Sequence, residues 1–282
     1  MAKRSTSCGP PAEGESSMQN GALIVVVAFA AEYVDSTLGM GYGTILTPAL
    51  LLAGFAPLQV VPVVLLSELI TGLLAGAAHH AVGNVDLMPK TQRRRKEMDQ
   101  DGGRIPRDLK VAALLASFSI VGTVAAVLVA IRLSQFWLKL YIGALVLVVG
   151  VAVLATRNKV YTFSWSRIGL LGLVASFNKG MSGGGYGPLV TSGQLLVGVN
   201  DKSAIGITSL AEGLTCAVGL SAYLLAREAI DWQLAPWLIV GAVLSVPVSA
   251  YTVKRVRTGP LRVVVGGTTV LLGAMMLLKL AW

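Results

Sequence analysis

The stretch Ser176–Gln194 reads SFNKGMSGGGYGPLVTSGQ, with one lysine, Lys179, among glycines and small residues. Apolar runs flank it on both sides, so a charge and a flexible backbone stand where an interior is expected. The whole chain explains the setting. It has 282 residues, 54% of them hydrophobic and only 13% charged, against about 25% charge in a typical soluble domain. Mean hydropathy is +0.71. This is the composition of an all-α polytopic membrane protein.

Apolar runs divide the chain. Gly21–Gly54 is long and broken at DSTLGMGYG, and Ile168–Gly198 is long and broken at the quoted stretch. Unbroken runs cover Pro57–Val82, Val111–Ile131, Phe136–Ala155, Lys202–Ala226, Leu234–Thr252 and Pro260–Leu280. A polar stretch rich in Gly, Pro and Ser, residues 1–20, reads as a disordered tail. The net charge of +9 sits in basic links between apolar runs, around Asn84–Lys110, Thr156–Arg167 and Lys254–Arg262. That placement argues for membrane topology and contact with anionic lipids, not nucleic acid. Cys8 and Cys216 lie far apart at no metal-ligand spacing. No Walker loop and no catalytic His, Ser or carboxylate set stands out, so neither an enzyme nor a bound cofactor is expected.

The order of runs repeats. At a constant offset of 144, Gly39 meets Gly183, Gly41 meets Gly185, Tyr42 meets Tyr186, Gly43 meets Gly187, Glu68 meets Glu212 and Thr71 meets Thr215. Asp35 falls opposite Lys179. Two halves follow, 21–156 and 164–282, joined by a cytoplasmic linker at 157–163. If all three basic links lie inside, each broken run must return to the side it left. The halves are then inverted, with both termini outside. Each broken run reads as a re-entrant hairpin with two arms of about 15 residues, rising about 22 Å. Against a core of about 30 Å, each tip passes the middle. Bent full spans are the plainer alternative.

A turn at that depth must line a cavity or be buried in protein, because lipid offers its N–H groups no partners. Helices restarting near Thr44 and Pro188 would aim N–H groups at the midplane, which suits an anion. The candidate binding residues are Lys179, Asn178, Ser182, Gly183, Gly184, Gly185, Tyr186 and Gly187 in one tip, with Gly39, Gly41, Tyr42, Gly43 and Thr44 in the other. Lys179 either faces the substrate or pairs, for example with Asp35. Glu32, Asp35, Glu68 and Glu212 are candidates for carrying protons or bracing the hairpins. His79 and His80, adjacent on one helix, diverge too much for one metal site and read as interfacial.

The stretches GMGYGTILTPALLLAG and SGGGYGPLVTSGQLLVG, each followed by a glutamate-bearing span, resemble the sulfite exporter TauE/SafE family, the 4-toluene sulfonate uptake permease group. The resemblance covers about residues 21–281. It falls on Gly39, Gly41, Gly43, Thr44 and Pro48, and on Gly183, Gly184, Gly185, Gly187 and Pro188. Met40 stands where a further glycine is common. The resemblance implies a prokaryotic inner-membrane secondary transporter that exports sulfite, sulfoacetate or another organosulfonate, driven by protons or another ion. A passive anion channel, or an importer of a related organic anion, remains the alternative. Oligomeric state is not legible from the sequence.

Overall fold

The computed structural model describes residues 13–87, 106–156, 164–196, 199–226, 228–255 and 259–281. The basic cluster Arg93–Lys96, the linker 157–163 and the start of the N-terminal tail lie outside them. The described residues form helices and connecting turns, with no strand among them. In chain order the helices are α1 (Glu13–Leu38), α2 (Tyr42–Leu52), α3 (Pro57–Ala81), α4 (Arg107–Ala130), α5 (Gln135–Thr156), α6 (Trp165–Ser182), α7 (Tyr186–Leu196), α8 (Asp201–Leu225), α9 (Ala235–Arg255) and α10 (Gly259–Ala281). Six contain stretches long and apolar enough to cross a membrane: Gly21–Leu38 of α1, and α3, α4, α5, α8 and α9. Their outward faces carry Val121, Val148, Leu214 and Leu244, exposed as lipid-facing residues are.

Close approaches at glycines fix the helix directions. Gly72 of α3 meets Gly213 of α8, Gly76 meets Leu210, and Gly219 meets Leu65, so α3 and α8 are antiparallel. Gly143 meets Leu277 and Gly150 meets Val270, so α5 and α10 are antiparallel too. Gly172 and Gly180 of α6 meet Leu115 and Ala126 of α4, and these two helices run parallel. Parallel also are α1 and α9, where Gly21 meets Trp237 and the Tyr33 hydroxyl donates to Thr252 Oγ1 at 3.1 Å. Small residues at these crossings let the backbones come close, the usual basis of helix association in lipid.

These directions sort the helix ends into two groups. At one end of the bundle, Lys279 Nζ donates to Leu52 O at 2.7 Å, and Gln59 hydrogen-bonds Asp231. At the other end, Asn84 Nδ2 donates to Ala250 O at 3.1 Å and Lys202 Nζ to Lys254 O at 3.0 Å. Helix α1 starts at the first end, and α2 returns to it. Helix α6 starts at the second end, and α7 returns to it. Arg107, Lys110, Arg167, Lys202, Lys254 and Arg255 all belong to the second end.

The arms of the two hairpins are unequal, which differs from the expected 15 residues apiece. The outgoing arms are the apolar stretch Gly21–Leu38 and α6, 18 residues each, while α2 and α7 have 11. Eleven residues rise only about 16 Å. The outgoing arms stay helical because each packs in parallel along a full-length partner, α9 or α4. The return arm α2 is cut short by Gly54, at φ 109°, and by Pro57, which opens α3. Helix α1 also begins at Glu13, inside the stretch expected as a tail.

Candidate functional site

Each tip is built on glycines in conformations that other residues resist. Gly39 (φ 67°) and Gly41 (φ 140°) turn the first, and Gly183 (φ 68°) and Gly185 (φ 77°) turn the second, at matching positions. The segments 39–43 and 183–187 lie side by side and antiparallel. A Cβ on Gly43 would sit 1.7 Å from Gly183 O, and one on Gly187 would sit 2.5 Å from Gly39 O. Only hydrogen at these positions lets the two backbones touch. Met40, the departure from the repeated glycine, is fully buried against Val149 and Val153 of α5. Every residue from Asp35 to Thr44 and from Asn178 to Pro188 is buried, so the tips close on each other.

Polar groups stitch this contact. Gly185 N–H donates to Thr44 Oγ1 at 3.0 Å, and Thr191 Oγ1 donates to Gly39 O at 2.6 Å. Gly184 N–H donates to Ser182 Oγ at 3.1 Å. Asn178 Oδ1 accepts from the Tyr141 hydroxyl at 2.6 Å. In the first tip, Tyr42 N–H donates to Asp35 Oδ1 and Gly43 N–H to Glu68 Oε1, both at 3.1 Å. The first helical turn of α2 thus directs two of its free N–H groups at carboxylates.

Lys179 is completely buried. Its ammonium pairs with Glu68 of α3 and, at 2.6 Å, with Glu212 of α8. Of the two sequence readings, pairing is the one this conformation adopts, and the partners are the two glutamates at matching positions. The Lys179–Asp35 hydrogen bond or ion pair weighed from sequence is not among those described. Glu212 Oε1 takes the lysine, while its Oε2 has no hydrogen-bond partner. Glu32 accepts from Ser36 Oγ at 2.5 Å and from Thr71 Oγ1 at 3.1 Å. Around the cluster, the Tyr42 hydroxyl pairs with Ser67 Oγ at 2.7 Å, and Cys216 Sγ lies 3.7 Å from Glu68 Oε2. The Tyr186 hydroxyl, without a well-formed hydrogen bond, sits beside the paired Ser119 and Thr215 hydroxyls. Among the described residues, no group of three or more His, Cys, Asp or Glu is arranged to hold a metal ion.

His79 is a residue whose placement sequence reasoning missed. It is not interfacial but fully buried. Asn84 Nδ2 donates to His79 Nδ1 at 2.9 Å, which leaves His79 Nε2–H to donate to Ser36 O at 2.9 Å. Ser36 O belongs to the last turn of α1, where carbonyls lack helical partners. The histidine caps the broken helix. Its position near the end of α3 gave no sign of this, because the depth of the first tip was not legible.

The family described as "Sulfite exporter TauE/SafE" matches residues 24–90 and 101–276, both hairpins included. The chain belongs to the sulfite exporter TauE/SafE family. One relative, the "Probable membrane transporter protein YtnM" of Bacillus subtilis (strain 168), is 26% identical over 274 residues, covering 91% of this chain and 83% of its own. Membership in the TauE/SafE family, together with the six apolar spans, makes this a multi-pass membrane transporter.

Proposed function

We propose that this TauE/SafE protein is a secondary transporter that exports a small sulfur-containing anion, sulfite or an organosulfonate, in company with protons. The observation that carries the reading is Lys179, a buried ammonium at the tip of one hairpin, held between Glu68 and Glu212 where that tip touches the other. A buried cation beside helix N-terminal N–H groups, which Asp35 and Glu68 engage in this conformation, is chemistry suited to a sulfonate or sulfite. Asn178, Ser182 and Thr44 line the same contact and supply neutral hydrogen bonds. Residues 35–44 and 178–188, all buried, form the occluded state. Parting the tips on one side or the other gives access to each end of the bundle in turn.

Halves of opposite direction support an inverted repeat of 21–156 and 164–282. The basic residues at the second end support a cytoplasmic assignment for that end, with both termini outside in a prokaryotic inner membrane. The test is flux in sealed proteoliposomes with sulfite, sulfoacetate, taurine, sulfate and acetate. Accumulation of sulfite or sulfoacetate against its gradient, driven by a pH gradient, is expected. Passive equilibration alone would make the protein a channel. Transport of acetate with no sulfur anion would remove the substrate assignment.

A further inference from the structure

The site holds more acid than its lysine can balance. Lys179 contributes +1, and Glu32, Asp35, Glu68 and Glu212 contribute −4 when ionised, a formal sum of −3 in a buried cluster. The groups that face these carboxylates from the packed helices are Tyr42 on α2, Lys179 on α6, Tyr186 on α7 and Cys216 on α8. Lys179 is the one cation among them. Unpaired charge in such surroundings is strongly disfavoured, and the usual remedy is to take up protons.

An anion that reaches Lys179 must displace carboxylates already there. Two of the three ammonium donors are engaged by Glu68 and Glu212. Displaced but still buried and ionised, those glutamates would repel the incoming anion. Glu212 Oε2, buried and without a partner, is an acceptor ready for a proton.

We infer that Lys179 is shared between carboxylate and substrate: the anion replaces Glu68 and Glu212 at the ammonium, and each negative charge it brings is matched by one proton taken onto those carboxylates, so that anion and protons travel together without net charge. This rests on the anion-transport reading and adds to it the sign and the number of the coupling. A monoanion moves with one proton, a dianion with two.

The experiment uses two anions whose charge is fixed between pH 6 and 8, methanesulfonate (one charge) and sulfoacetate (two). Binding to the purified full chain is measured by titration calorimetry in buffers of different ionisation heat, which reports proton uptake. About one proton with methanesulfonate and about two with sulfoacetate are expected, with affinity falling about tenfold and a hundredfold per pH unit. In proteoliposomes, flux is expected to follow the pH gradient and to ignore an imposed membrane potential. The double variant Glu68→Gln, Glu212→Gln is expected to bind at pH 8 with nearly the affinity the native protein has at pH 6. Binding without proton uptake, or flux steered by voltage, overturns the coupling and leaves anion transport standing. No binding of either anion, nor of sulfite, at any pH overturns both.

Discussion

The two hairpin tips share a glycine frame but treat their glutamates differently. In the first, Glu68 is anchored on both oxygens, to Gly43 N–H on one and to Lys179 and the Cys216 thiol on the other. Its counterpart Glu212 is anchored once, to Lys179, and its other oxygen is without a partner. The outgoing arms differ too. Helix α1 brings Glu32 and Asp35 to its tip, and at the same positions α6 has Ser176 and Lys179. One tip thus supplies acid and the other the base. A duplicated frame fixes where the backbones meet, and a few substitutions between the copies decide which half holds charge in place and which half is left to respond.

The largest expected effect comes from removing the base. Lys179→Ala leaves two buried carboxylates without a cation, a change that typically destabilises by about 3–5 kcal/mol. Thermal unfolding in detergent measures it. Adding Glu68→Gln and Glu212→Gln is expected to restore most of that stability while anion binding stays lost. Recovery of binding in the triple variant would break the contrast between base and acid tips. Next come the glycines at the contact. Gly43→Ala drives a methyl into the Gly183 carbonyl, and Gly187→Ala drives one into Gly39 O. Such overpacking costs about 1–3 kcal/mol, with Gly43→Ala the worse of the two. Gly267→Ala, within α10 and where a Cβ meets nothing within 4 Å, is the control and is expected to be neutral or to stabilise by up to about 1 kcal/mol.

These glycines also mark what the sequence makes legible. A left-handed turn requires glycine, so the break points could be placed from the repeat of GYG at a fixed spacing. Run length and hydropathy, which bilayer thickness sets, identified five of the six unbroken runs as spans, while the sixth forms α10, whose described apolar stretch Gly266–Ala281 is shorter. Arm lengths were not legible, because the end of a helix inside a bundle depends on which partner it packs along. Lys179, Glu68 and Glu212 each stand out in the sequence, but nothing in it pairs them. The offset pointed Lys179 toward Asp35 because it aligns residues in sequence. The fold instead slides segments 39–43 and 183–187 past each other, and α3 and α8, which carry the two glutamates, pack together beside them. The role of His79 is hidden for the same reason, since the sequence does not show how deep the Ser36 carbonyl lies.

The unequal anchoring of the two glutamates sharpens into a smaller, local measurement. Glu68→Ala removes the acceptor for Gly43 N–H, whereas Glu212→Ala removes no described hydrogen bond to the tip backbone. A lost buried hydrogen bond is worth about 1 kcal/mol. Hydrogen exchange in peptides covering residues 39–46 is therefore expected to quicken by about fivefold more in Glu68→Ala than in Glu212→Ala. Glu68→Gln, which keeps a carbonyl acceptor, is expected to leave it near the native rate. Equal exchange in both alanine variants would mean the tips are not differently braced.

The smallest effect lies where the halves are tied at the bundle ends. Asp231, in the turn before α9, accepts from Gln59 at the start of α3 and from Gln233 N–H at 2.8 Å and Leu234 N–H at 3.2 Å. The Gln59 hydrogen bond, more than the two backbone bonds, holds its carboxyl below the usual aspartate range, against a smaller opposing effect of burial. A depressed value means these contacts stabilise the fold fully above the unfolded aspartate value of about 3.9 and fade as pH falls through the lower folded value. Asp231 is partly buried at the end of the bundle, and screening by the nearby solvent limits the gain to a few tenths of a kcal/mol. Asp231→Asn is expected to lower the unfolding temperature slightly at pH 7 and by less at pH 3. The tie at the opposite end, Lys202 Nζ on Lys254 O, contains no carboxylate. Lys202→Met is therefore expected to shift stability by the same small amount at both pH values, and a pH-dependent shift there would mean that the two ends are held by the same kind of contact.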